Sequence, residues 1–368
     1  SVNLSITSPV ATRVAIYTDE SCTDASLLTE LPVSEVAKNI RLDVAKADRA
    51  LYVQYATSKG KEMMNIPLNA ASTRAETLVK LPENVSGFDT NGGEGAYRYQ
   101  WYPAKGETAT LMMEDNWPEM GDYDFNDFVI WYHTQAIFFD GGNGSKDSYE
   151  ADGIEFEITF RAMGGYLPYR LGLQLDQTSA KYIDEVIEIN GNDLVKMELQ
   201  NPGEDAPAIF IFTGTDQLRK QNNGGTFYNT EADHQIAAND LVTIKYRLKI
   251  NCFNSLERTK ALWAAAISEN QNFFLQKERN GGREIHLRGY EPTAYYSDSY
   301  AGEAGNNMRS DIKYCSTDNF VWGIIHAKRK ISWRFTASSE AGSLIRISHR
   351  TVRTSTKTGS NISIHLKQ

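Results

Sequence analysis

The sequence predicts an all-β protein, with a small N-terminal β-sandwich followed by a larger β-sandwich or jelly-roll domain. Three observations lead there. Apolar and polar residues alternate at period two along most of the chain, the spacing that buries one face of a strand. The composition favours strands and turns, with 19 Tyr, 15 Phe and 27 Gly in 368 residues. Only one stretch carries a strong helical composition, Leu256 to Ile267.

The elements follow in order. Val2, Leu4 and Ile6 alternate with polar residues, as do Val14 and Ile16, then Ile40, Leu42 and Val44, then Leu51, Val53 and Tyr55. Four or more short strands at this spacing suggest a sandwich over residues 1–82. The turns between them include Thr18-Asp19-Glu20-Ser21 and Ser58-Lys59-Gly60-Lys61. Residues 83–98 are polar and glycine-rich (Ser86 to Gly95) and carry too little apolar surface for a core, so they read as a connector. The second domain, 99–368, resumes the alternation at Ile154–Phe160, Leu171–Leu175, Ile187–Ile189 and Val242–Ile250. Ala208-Ile209-Phe210-Ile211-Phe212 reads as a strand covered on both faces. Asp140-Gly141-Gly142-Asn143-Gly144 reads as a hairpin loop.

Bulk properties exclude several classes. A net charge of -9 argues against a nucleic-acid binder. No apolar run reaches bilayer-spanning length. The opening Val2-Asn3-Leu4-Ser5-Ile6 is strand-like and suits a mature chain whose export signal has been removed. Cys22, Cys252 and Cys315 are far apart and lack metal-type spacing, so they read as free thiols. The six His are scattered, and no glycine-rich phosphate loop is placed between strand and helix.

The chemistry concentrates in Glu114-Asp115-Asn116-Trp117-Pro118-Glu119-Met120-Gly121-Asp122-Tyr123-Asp124-Phe125-Asn126-Asp127. It packs six acids and two Asn into fourteen positions ahead of the apolar run Phe128-Val129-Ile130-Trp131-Tyr132. Oxygen donors alternating at 122, 124 and 126 suit a hard cation. An EF-hand is excluded, because counting from Asp122 its sixth and twelfth positions hold Asp127 and His133 in place of Gly and a carboxylate. Zinc is disfavoured by an oxygen-only donor set, His133 being the nearest nitrogen. No Lys or Arg lies between Lys105 and Lys146 to neutralise the loop locally. Calcium held by Asp115, Asp122, Asp124, Asn126 and Asp127 is the expected reading. A structural one, with the side chains bonding their own backbone, stays open beside it. Trp101, Trp117 and Trp131 are candidate ligand-contact aromatics, with core packing as the alternative.

The segment Trp101 to Tyr132 resembles the LruC domain family, which shares a Glu-Asp-x-Trp-Pro-x-x-Gly-Asp-Tyr-Asp-Phe-Asn-Asp signature. Gly172-Leu173-Gln174-Leu175, Glu284 to Thr293 and Thr317 to Ile324 are similar to further segments of it. The resemblance spans about residues 99–326 and implies an exported, surface-associated protein, often a Bacteroidetes lipoprotein, with an N-terminal β module and a lipid anchor upstream. It brings no reaction with it. From Lys328 onward the chain departs from the pattern and is basic, with Lys328, Arg329, Lys330, Arg334, Arg346, Arg350, Arg353, Lys357 and Lys367 against Glu340. A solvated tail or a patch for an acidic polysaccharide are its two readings.

The expected function is a surface-exposed, calcium-stabilised, non-catalytic module binding a glycan or a cell-surface protein. A structural or adhesin subunit of a surface appendage is one rival, and a glycoside hydrolase using paired carboxylates is the other.

Overall fold

This computed structural model describes residues 1–69, 76–277, 282–296 and 308–327. The basic stretch from Lys328 onward lies outside the described residues.

The first part supplies β1 (Val2–Thr7), β2 (Thr12–Tyr17), β3 (Leu27–Val33), β4 (Lys38–Leu42), β5 (Ala50–Thr57), β6 (Gly60–Pro67) and β7 (Glu76–Lys80). The strands β4, β1 and β7 form one sheet, in which β1 is antiparallel to β4 and parallel to β7. It faces β3, β2, β5 and β6 across a core holding Leu4, Ile6, Val14, Ile16, Leu51 and Val53. Period-two alternation put these side chains on the inner faces, and burying them stabilises the sandwich by roughly 1.5–3 kcal/mol per large aliphatic side chain.

The second part continues with β8 (Tyr97–Tyr102), β9 (Ala109–Met113), β10 (Phe128–Phe139), β11 (Gly153–Ala162), β12 (Arg170–Ser179), β13 (Glu185–Asn190), β14 (Lys196–Leu199), β15 (Pro207–Thr213), β16 (Thr243–Lys249), α1 (Leu256–Ala265), β17 (Gln271–Gln276), β18 (Glu284–His286) and β19 (Gly323–His326). A five-stranded sheet ordered β14-β15-β12-β17-β18 packs on the β13-β16-β11-β10 end of the large sheet. Leu171, Leu173 and Leu175 of β12 meet Phe156, Ile158 and Phe160 of β11 in the core between them. The helix α1 starts where Ser255 Oγ accepts the Arg258 N–H at 3.3 Å, a side-chain N-cap. It buries Ala261, Leu262 and Ala265.

The connector expected at 83–98 falls between two separate apolar cores, yet one sheet runs past it. Thr29 and Glu30 of β3 pair with Gln100 and Tyr99 of β8, so the large sheet reads β13-β16-β11-β10-β8-β3-β2-β5-β6. The strand β3 carries Pro32 and was not expected. It is tolerated because the β8 ladder covers only Thr29 and Glu30, leaving Pro32 beyond it at a local edge. The glycine-rich stretch is laid onto the first sandwich, where Arg13 Nη1 donates to the carbonyls of Glu94 (3.1 Å), Gly95 (2.9 Å) and Tyr97 (2.6 Å). The two parts also meet where Ser268 N–H donates to Asp43 Oδ2 at 2.8 Å and where Lys38 pairs with Asp140 at 2.8 Å.

Candidate metal centre

The acidic segment is the loop of a hairpin. Strands β9 and β10 pair antiparallel with Met113 opposite Phe128, so residues 114–127 close on themselves. The strand β9 is wholly buried, and the acid that follows it, Glu114, is 0% exposed. A buried carboxylate needs donors or a cation. Two donors come from the loop: Phe125 N–H donates to Glu114 Oε1 at 2.5 Å and Tyr123 N–H to Oε2 at 3.3 Å. Both donors sit in the left-handed backbone region, Tyr123 at φ 57° and Phe125 at φ 55°. Side chains rarely adopt it, and residues held there concentrate at functional sites. Gly121 lies at φ 56° with its missing Cβ 2.7 Å from Glu114 Oε2, so the turn passes close over the carboxylate.

Glu114, Asp122 and Asp124 each offer one oxygen within 4.8 Å of the others. A calcium ion binds oxygens at about 2.4 Å, so ligands on opposite sides of it stand about 4.8 Å apart. These three oxygens therefore fit a single hard cation. Asp124 is also turned by its own backbone, Oδ1 accepting the Asn126 N–H at 3.1 Å, while Asn126 Nδ2 donates to Asp124 Oδ2.

Asp115 and Asp127 stand beside this trio. Asp127 Oδ2 accepts the Asp115 N–H at 2.9 Å, and Asp115 Oδ2 accepts the Leu167 N–H at 3.2 Å. The opposing wall is Gly164-Gly165, just beyond β11. A Cβ on Gly165 would lie 2.1 Å from Asp115 Oδ2, and one on Gly164 would lie 2.0 Å from Asn126 Oδ1.

The electrostatics follow from burial. Desolvation lifts Glu114 to about 8 against the pull of the Phe125 N–H, and the charges of Asp124 and Asp122 add to it. Desolvation and then the Asp122 charge lift Asp124 to about 7. Burial pushes Asp115 and Asp127 upward as well, and the Asp115 charge adds to the rise of Asp127. Among the described residues no Lys, Arg or His forms an ion pair with any of the five carboxylates. Arg219 acts on Asp115 only through its field.

Of the expected donors, Asp122 and Asp124 come together, Asp115 and Asp127 form the adjoining pair, and Asn126 spends its amide on Asp124. Glu114 was not among them, although an acid directly after a buried apolar strand was a readable signal. Gly164 and Gly165 were missed because they are distant in sequence. His133 faces the Glu107 carbonyl at 2.9 Å.

Burial goes against two of the three candidate aromatics. Trp117 is 5% exposed, packed in the main core with its ring 5.1 Å from Tyr314. Trp101 is 6% exposed in a separate cluster with Tyr17 and Leu27, stacked on Tyr99. Trp131 is half-buried under the Arg161 guanidinium, 5.3 Å above its ring. Two of the three are withdrawn from solvent because large rings gain most from burial. An exposed ring beside the loop is Phe320, stacked on Tyr123 at 4.9 Å.

Fold and loop together define an all-β, sandwich-type protein with an oxygen-rich acidic hairpin loop. The chain belongs to the family described as Domain of unknown function (DUF4842), whose model matches residues 151–342. That span holds the Gly164-Gly165 wall but begins after the acidic loop. Among solved structures, a crystal structure of a candidate lipoprotein from Bacteroides ovatus is similar, at 23% identity and a TM-score of 0.63. The match covers 86% of this chain and 89% of that one. At this identity the likeness carries the fold alone. No curated protein matches. Among the described residues no helix is long and apolar enough to cross a membrane.

Proposed function

We propose that this chain is an LruC-type, surface-exposed module of an exported, lipid-anchored protein, stiffened by calcium, that binds a glycan or a protein ligand without catalysis. The observation that carries the calcium reading is the convergence of Glu114, Asp122 and Asp124 oxygens within 4.8 Å, with no basic side chain paired to them among the described residues. Asp115, Asp127 and Asn126 shape the adjoining wall. The amides of Tyr123 and Phe125 satisfy part of Glu114, but an ionised carboxylate offers about four acceptor sites, so capacity remains for a cation. Drawing carboxylates to one centre suits binding a cation better than hydrolysis. Surface location and lipid anchoring are supported by the LruC resemblance, and the Bacteroides ovatus protein that shares the fold is itself described as a candidate lipoprotein.

Thermal melting with and without chelator, paired with elemental analysis, tests the calcium reading. Calcium is expected to raise the melting temperature and to be found in the purified protein at about one ion per chain. An unchanged melt with no metal found would leave the loop as a purely structural turn.

One observation favours the adhesin reading as the second choice. Among the described residues the edge strand β6 pairs only with β5 and β7 only with β1, and Leu78 of β7 is 80% exposed. Such edges accept a neighbour's strand. Concentration-dependent assembly in sedimentation velocity would support that reading; a monomer at all concentrations would oppose self-assembly.

A further inference from the structure

The outer face of the five-stranded sheet carries a second feature. Register places Glu198 of β14 opposite Ile211 of β15, Ile211 opposite Gly172 of β12, and Gly172 opposite Phe274 of β17. Arg170 pairs with Gln276 one row along. The inner face of β12 is leucine, so these residues point outward, where a sheet face normally meets water. Here Arg170, Glu198, Ile211 and Gln276 border a cavity of about 280 Å³, and Gln200, Thr213 and Tyr295 complete its wall. Gln276 is 4% exposed and Arg170 9%.

The walls are positioned by their own bonds. Arg170 Nη2 donates to Gln276 Oε1 at 3.2 Å, and Thr213 Oγ1 donates to Glu198 Oε1 at 3.0 Å. Tyr295 OH donates to the Gln200 carbonyl at 3.4 Å, and its ring packs on the cluster of Ile209, Ile211 and Phe274. The loop that delivers Tyr295 is tied to the sheet through Thr293, whose N–H and Oγ1 donate to buried Glu284 at 2.9 and 2.7 Å. A polar pocket held in place before any ligand arrives avoids much of the ordering cost of binding.

Its chemistry narrows the ligand. A carboxylate, two side-chain amides and a hydroxyl stand side by side next to the Arg170 guanidinium, a polar wall that suits adjacent hydroxyl groups. The half-exposed Tyr295 ring adds an apolar wall for the face of a sugar. Glu198 opposes an anionic ligand, and the polar lining opposes an apolar one. The volume sits just under the usual lower end of ligand pockets, roughly 300 Å³, which suits one ring.

We propose that this cavity binds a single hexose ring of a neutral glycan, at its chain end or on a branch. The assignment rests on the glycan arm of the function proposed above and is independent of its calcium arm.

The test uses the full chain with calcium. Saturation-transfer NMR is run with methyl hexopyranosides of the gluco, galacto and manno series, beside an array of neutral and acidic oligosaccharides. Glu198→Gln, which is isosteric, and Tyr295→Ala are compared with the parent after melting shows both folded. The expected result is binding of at least one neutral probe, weakened about tenfold or more in each variant, as loss of a charged hydrogen bond or a stacked ring produces. Neutral glycans bound equally well by the parent and both variants would overturn the cavity assignment and leave the glycan reading standing. Binding of acidic glycans alone would overturn the neutral class. Binding of no sugar at all would overturn both the cavity and the glycan reading, while the calcium-dependent melt would stand or fall on its own.

Discussion

Phe125 N–H donates to Glu114 Oε1 at 2.5 Å, tying the far end of the acidic loop to the residue that follows β9. With Tyr123 N–H on the other oxygen, one buried side chain folds the loop over itself. The carboxylates brought together this way are the centre of the proposed site, so Glu114 organises the loop as well as contributing an oxygen to it.

Replacing Glu114 separates these roles. Glu114→Ala leaves two backbone N–H groups without their acceptor and is expected to cost about 1–3 kcal/mol of stability for each one that stays buried and unpaired. Glu114→Gln keeps one acceptor and is expected to cost less, while also losing the calcium-dependent rise in melting temperature. Denaturant unfolding with and without calcium checks both. Full calcium response in Glu114→Ala would remove Glu114 from the cation shell.

The loop also predicts a pH dependence, measured in chelator. Glu114 rises from 4.5 to about 8 on folding and Asp124 from 3.8 to about 7. Between those values the folded state binds more protons than the unfolded one, so stability falls as pH rises through that range. Each group contributes a slope approaching about 1.4 kcal/mol per pH unit inside its window. Below pH about 4 the contribution is complete and flat. Calcium favours the ionised carboxylates, so the decline from pH 5 to 8 is expected to flatten or reverse when it is added. Parallel melts across pH 5–9 in chelator and in calcium show whether the two curves diverge with rising pH.

Gly165→Ala is expected to destabilise by about 1–3 kcal/mol, because the added methyl would need space 2.1 Å from Asp115 Oδ2. Gly203, whose missing Cβ has nothing within 4 Å, gives a comparison without a clash, although its φ of +81° still strains any side chain there. Urea unfolding of the two Ala variants measures the difference. A calcium response that falls only in Gly165→Ala would tie the 164–165 wall to the loop.

Trp117→Ala is expected to cost about 3–5 kcal/mol, as truncating a buried ring does. Phe320→Ala, at an exposed ring, is expected to cost far less. If Phe320 and Tyr123 form part of a contact surface, ligand binding should respond to Phe320→Ala while unfolding barely changes. Equilibrium unfolding and array binding of both variants distinguish packing from contact.

Much of the fold was legible from alternation. Leu4, Ile6, Val14, Ile16, Leu171 and Leu173 all lie in the cores that their spacing predicted, because period two depends only on local backbone geometry. The strand β3 was not legible, since Pro32 argues against a strand unless its pairing partners are known. The joining of β3 to β8 was equally hidden, as it pairs residues about 70 positions apart.

The sequence by itself determined the β class, the oxygen-only character of the acidic loop and the lack of local basic residues, because composition and short spacing carry that information. Tertiary structure decided which carboxylates meet, that Glu114 and Gly164-Gly165 stand among them, that Trp101 and Trp117 are buried, and that polar side chains of β12, β14, β15 and β17 line a cavity. Those outcomes depend on which distant strands pair and which faces pack, and chain separation gives no direct record of either.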